Sequence, residues 1–197
     1  MNLYTKMVVV LTSVGLLSGL LLSTVGYLTK DKIALNQQRE IEDAIIKVVP
    51  GSKESEKVYE ENGLIIYEGK NKKGEITGFA VYASGTGFQD IITLMYGTNT
   101  TMTKLNALTI LDQKETPGLG AKITDEKSFL RFWKNRNVRN SLSLRKPPVD
   151  SPEELSPSEV NTITGATISS EKVLEIVNAS LRRVNALKKE GKIGREG

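Results

Sequence analysis

The stretch Asn161-Thr162-Ile163-Thr164-Gly165-Ala166-Thr167-Ile168-Ser169-Ser170 gathers hydroxyls and small side chains just before an amphipathic run. A hydroxyl oxygen can bond an anion, and Gly165 with Ala166 lets a phosphate come close to the backbone. If a helix starts here, its free N–H groups and its dipole favour negative charge, so a phosphate-bearing ligand suits the stretch. Ordinary N-capping by Ser169 or Ser170 would use the same residue types. Composition alone leaves both readings open.

A second stretch, Glu115-Thr116-Pro117-Gly118-Leu119-Gly120, follows the strand-like run LNALTILD and taken alone is a Pro-Gly turn. A third, from Ala83-Ser84-Gly85-Thr86-Gly87-Phe88 to Leu94-Met95-Tyr96-Gly97, is a Gly-rich turn leading into a strand. The 197-residue chain has no His and no Cys, which removes thiolate and imidazole metal sites, Fe–S ligation, thiol nucleophiles and His relays together. A Cys-free chain also suits an oxidising compartment. The 27 Lys and Arg against 23 Asp and Glu give only +4, with the signs mixed along the chain, so nucleic acid is not an implied partner. There is no Walker A sequence, and Gly118-Leu119-Gly120 lacks the third glycine and the βαβ setting of a dinucleotide fold.

The elements that must position these residues follow from periodicity. Met7 to Leu28 is an uncharged run which, as a helix, spans roughly 33 Å at about 1.5 Å per residue, enough for a bilayer core. A membrane helix or a signal peptide fits it. Thr24-Val25-Gly26 offers small residues for cleavage, but the run exceeds a usual signal core. Lys6 on one side faces Lys30 and Lys32 on the other, so charge does not decide orientation. Gly15, Gly19 and Ser23 recur every fourth residue, a face small enough for another helix. Ile33, Ile41, Ile45 and Val48 continue at helical spacing to Pro50-Gly51, which predicts a stalk helix.

From Leu64 the pattern turns to β: LIIYEG, ITGFAVYASG, DIITLMYG and LNALTILD, separated by turn signals, predict a small, mostly antiparallel sheet. A helix is expected from about Asp125 to Lys134, carrying Phe129, Phe132 and Trp133. A second, from Ser170 to Lys189, places Val173, Ile176, Val177, Leu181 and Val184 on one face. Lys146 to Pro157 is Pro-rich and reads as a loop. The resulting division is an anchor over 1–29, a stalk over 30–50, a domain over 51–190 and a tail over 191–197.

The 161–169 residues match a flavinylation motif: Asp or Asn, two residues, Ser/Thr-Gly-Ala-Thr, one residue, Ser or Thr. In this respect the chain resembles the FMN-binding subunits of the Rnf and Na⁺-pumping NADH:quinone oxidoreductase complexes. Asn161 fills the first position, where Asp is more typical, Thr164-Gly165-Ala166-Thr167 the centre and Ser169 the last. The resemblance implies that Thr167 accepts FMN through a phosphoester bond made from FAD by a separate flavin transferase. It further implies that Glu115, Thr116, Gly118, Leu119 and Gly120, in a loop similar to the family's ETPGLG, lie beside the isoalloxazine ring, with Tyr96 of the third stretch also at the flavin.

The implied fold is α+β: a single amino-terminal transmembrane helix and an extracytoplasmic FMN-binding domain with a small antiparallel sheet and flanking helices. The implied work is electron relay in an ion-translocating complex of membrane and soluble subunits, with no catalytic side chain and no metal. Two neighbouring readings stay open: the C subunit of the Na⁺-pumping enzyme, typically longer than 197 residues, and a stand-alone anchored flavin module that senses redox state or feeds a separate reductase. A cofactor-free scaffolding ectodomain is a third.

Overall fold

The computed structural model describes residues 2–194, and the chain divides into two units, Met1–Ile41 and Glu42–Gly197. The first is helical throughout its described length apart from Asn2 and belongs to α1 (Leu3–Val48). Its apolar side chains lie open on every side, Leu11 at 71%, Leu17 at 60% and Leu22 at 75% exposure. A helix that is apolar all round is stable only in apolar surroundings, and this one is long and apolar enough to cross a bilayer. Two of its hydroxyls bond within the helix: Thr24 and Thr29 donate to the Leu20 and Val25 carbonyls at 2.8 Å each.

The second unit begins on the last turns of α1, where Ala44, Ile45 and Val48 are buried. The expected stalk over 30–50 therefore ends inside the domain. Next come β1 (Glu54–Glu61), β2 (Leu64–Lys70), β3 (Ile76–Thr86), β4 (Ile91–Thr98), β5 (Lys104–Asp112) and β6 (Arg136–Asn137), each antiparallel to its neighbour in chain order. The β2–β3 turn holds because the Asn71 side-chain oxygen accepts from the Lys73 and Glu75 amides, at 2.8 and 3.1 Å. β1 escapes the periodicity reading because it is a charged edge strand with no buried residue. β7 (Ser143–Arg145) and β8 (Glu159–Asn161) form a separate parallel pair, too short to show a pattern.

α2 (Thr167–Lys189) packs on β3 and buries Val173, Ile176, Val177, Leu181 and Val184, the face its spacing predicts. These side chains join Phe79, Val81, Ile92, Leu94 and Tyr96 of the sheet in one core. Burying each large apolar side chain contributes about 1.5–3 kcal/mol, so this face fixes where α2 begins and ends on the sheet.

The helix expected over 125–134 is instead a run of turns ending in a 3₁₀ helix at Leu130–Trp133. One turn suffices to bury Phe129, Phe132 and Trp133, and the chain reverses at Asn135 (φ 63) into β6. The Pro-rich 146–157 loop holds a 3₁₀ turn at Pro152–Glu154. Buried Arg136 fastens it by donating to the carbonyls of Phe132 (3.0 Å), Pro152 (3.1 Å) and Ser156 (3.3 Å). Three backbone acceptors satisfy the guanidinium, and the charges of Glu153 and Glu159 favour it from farther off.

Candidate functional site

Three segments converge at one end of the sheet: the turn after β3, the loop after β5 and the start of α2. They enclose a cleft of 330 Å³, within the range of small-ligand sites. Phe88 comes from the first segment, Thr116, Leu119 and Gly120 from the second, and Gly165 to Ser169 from the third. Phe88, Leu119 and Ile168 are 57%, 50% and 48% exposed and form an apolar rim, the kind of surface a flat ring covers.

The hydroxyls in the third segment are not equivalent. Thr162 donates to the Arg145 carbonyl at 2.6 Å, and Ser169 to the Glu115 carboxylate at 2.6 Å. Ser170 donates to the Ala166 carbonyl at 2.9 Å and accepts from the Ile163 amide at 3.2 Å. Thr164 and Thr167 make no side-chain hydrogen bond among the described residues, and of these two only Thr167 lines the cleft.

α2 starts at Thr167 rather than Ser170, with Ala166 as its N-cap and no side-chain cap bond. Capping by Ser169 or Ser170 therefore does not occur. The first N–H groups of a helix have no intrahelical acceptor, and here no side chain supplies one, nor is there an acidic residue in the first turn. The positive end of the helix dipole is left open to the cleft. Gly165 leads into it at φ +80, a left-handed conformation costly for any residue with a Cβ. Gly118 at φ +75 turns the facing loop in the same way.

Glu115 joins the three segments without lining the cleft. Its Oε1 accepts from the Phe88 amide at 2.8 Å and the Gln89 amide at 3.1 Å, and its Oε2 from Ser169. A Cβ on Gly87 would lie 2.5 Å from Oε1, and one on Gly120 would lie 2.6 Å from Ser169 Oγ. Both glycines are there for closeness of approach.

Not every residue expected at the flavin lies here. Tyr96 is fully buried in the core, sharing a 3.1 Å hydrogen bond with Ser180, and burial pushes its phenol well above the usual value. Asn161 is buried too. It holds the Val149 backbone in both directions, accepting at 3.0 Å and donating at 2.8 Å. Thr164 points to solvent beside the cleft. Phe88 and Ile168 were not expected among the site residues; the available signal was that both are large apolar side chains inside the polar, small-residue stretches already singled out. A larger groove of 480 Å³ lies between β3 and α2, but Lys172 on its wall is already paired with Glu175 at 2.8 Å. No group of acidic side chains able to hold a metal occurs among the described residues.

The model of the FMN-binding domain family matches residues 87–182, which contain all three cleft segments. The chain is 30% identical over 176 residues to the G subunit of the ion-translocating oxidoreductase complex of Vibrio vulnificus, covering 81% of this chain and 79% of that one. It is 24% identical over 189 residues to the protein of the same name from Methanosarcina acetivorans, covering 92% and 95%. In fold it resembles the crystal structure of Shewanella oneidensis NqrC, with a TM-score of 0.52 at 16% identity over 69% of this chain and 72% of that one.

Proposed function

The chain belongs to the family of G subunits of ion-translocating oxidoreductase complexes, and from that premise we propose that it carries one FMN esterified through its phosphate to Thr167. Of the motif hydroxyls, Thr167 alone is both unpartnered and in the cleft, and that observation carries the assignment. Bound FMN supplies the redox chemistry, taking up electrons and passing them on. The protein binds and orients. The open start of α2 meets the phosphate charge, Gly165 and Ala166 leave it room, and Phe88, Leu119 and Ile168 offer the ring an apolar seat. Asn161, by holding the Val149 loop, and Tyr96, in the core beneath α2, support the site from behind. No acid or base residue is required. As an electron-transfer subunit, the chain works only with other subunits of the complex.

α1 is the single anchor, with the domain on the extracytoplasmic side, where a covalent bond prevents loss of a cofactor that could not be recaptured. A separate flavin transferase makes the bond, as the resemblance of the 161–169 motif implies. The test is co-expression with such a transferase. Wild type should fluoresce on a denaturing gel and gain the mass of one FMN less one water on the peptide containing Thr167. Thr162→Ala should keep the fluorescence, Thr164→Ala should reduce it, and Thr167→Ala should abolish it. Added mass on any other residue would withdraw the assignment.

A further inference from the structure

Glu115 is 4% exposed, yet no cation lies within ion-pair distance of it among the described residues. A buried carboxylate ordinarily has such a partner, because desolvating an unpaired charge is costly. Here two backbone amides and one hydroxyl take its place. All three can be met without a charge. The amide oxygen of a Gln could accept from Phe88 and Gln89, while its nitrogen donated to Ser169 Oγ. Joining the segments requires a side chain of this length and shape; it does not require an anion.

We propose that Glu115 is a positioning residue with two effects: its carboxylate sets the loop containing Phe88 and the start of α2 before flavin arrives, and its charge, which no cation among the described residues pairs, makes the flavin harder to reduce. The second effect rests on the FMN reading above. Two electrons from a donor and one proton convert the neutral isoalloxazine ring into a reduced ring bearing one negative charge. Glu115 stands directly behind Thr116, Gly120 and Ser169 of the cleft wall, so the new charge forms beside a fixed one of the same sign. Like charges in a site of reduced dielectric repel more strongly than in water, so reduction is disfavoured.

The two effects separate experimentally. In the Thr167→Ala background, which carries no covalent flavin, amide exchange at Phe88 and Gln89 reads the clip alone. Glu115→Ala should raise it at least tenfold, and Glu115→Gln should raise it far less. In flavin-loaded protein, titration with dithionite against a reference dye reads the charge. Glu115→Gln should favour reduction at least tenfold over wild type, a positive shift of about 30 mV for a two-electron couple. A merely structural Glu115 would leave that potential where it is, so an unchanged potential in Glu115→Gln overturns the electrostatic role. Unchanged exchange in Glu115→Ala overturns the positioning role. If wild type takes no flavin, the FMN reading has failed, and the exchange result still decides the clip.

Discussion

α1 and α2 are both long helices rich in Leu, Ile and Val, yet their side chains meet opposite surroundings. In α1 the apolar residues through Leu28 are exposed on every side, whereas in α2 they lie on one buried face. An apolar surface without a face needs an apolar solvent; one with a face needs a partner element. α2 has the sheet as partner, so its start is held rigidly enough to shape a cleft. The apolar side chains of α1 through Leu28 are exposed, and no residue lining the cleft comes from this helix. On the proposed function, address and chemistry fall to different helices.

The largest effect should come from exchanging one for the other. Replacing residues 3–28 with an unrelated single-pass anchor should leave flavin labelling at the wild-type level. Thr167→Ala should remove labelling entirely while membrane retention persists. Gel fluorescence of fractionated membranes reads both, and loss of label on anchor replacement would break the division.

Stability should divide in the same way. Leu181→Ala, at a site 5% exposed, should cost the domain about 2–5 kcal/mol in chemical denaturation. Leu21→Ala in α1, at a site 58% exposed, should leave the domain's unfolding midpoint where it is. A smaller cost is expected at the entry to α2. Gly165→Ala would place a Cβ at φ +80 and 3.4 Å from Leu119 Cδ2, costing roughly 1–2 kcal/mol. It should also slow flavin labelling measured by a time course with the transferase.

Smallest is the effect of Gly19→Leu. A Cβ at Gly19 meets nothing within 4 Å in this chain, so flavin content and domain stability should not change. Recovery of partner subunits from solubilised membranes should fall severalfold if the Gly15, Gly19 and Ser23 face packs on another helix. Full recovery would show that this face does not.

Much of this was legible in the sequence because the signals are local. The uncharged run, the alternating strands, the buried face of α2 and the Thr164-Gly165-Ala166-Thr167 centre each lie within a few turns or strands of chain. The reading failed where local pattern and tertiary setting diverge. Phe129, Phe132 and Trp133 have helical spacing but needed only one 3₁₀ turn, and β1 is strand without alternation because it is an edge strand with no fully buried residue.

By itself the sequence determined the apolar run and the sheet and singled out the threonine at position 167 as the candidate, since periodicity and a contiguous motif require no knowledge of what lies opposite. Only the tertiary structure decided that Ser169 is committed to Glu115, that Glu115 stands behind the wall, that Tyr96 turns into the core and that Phe88 and Ile168 form the rim. The bonds responsible join residues 26, 27, 54 and 84 positions apart. Separations of that length have no period, and they exist only once the sheet has brought its loops together at one end.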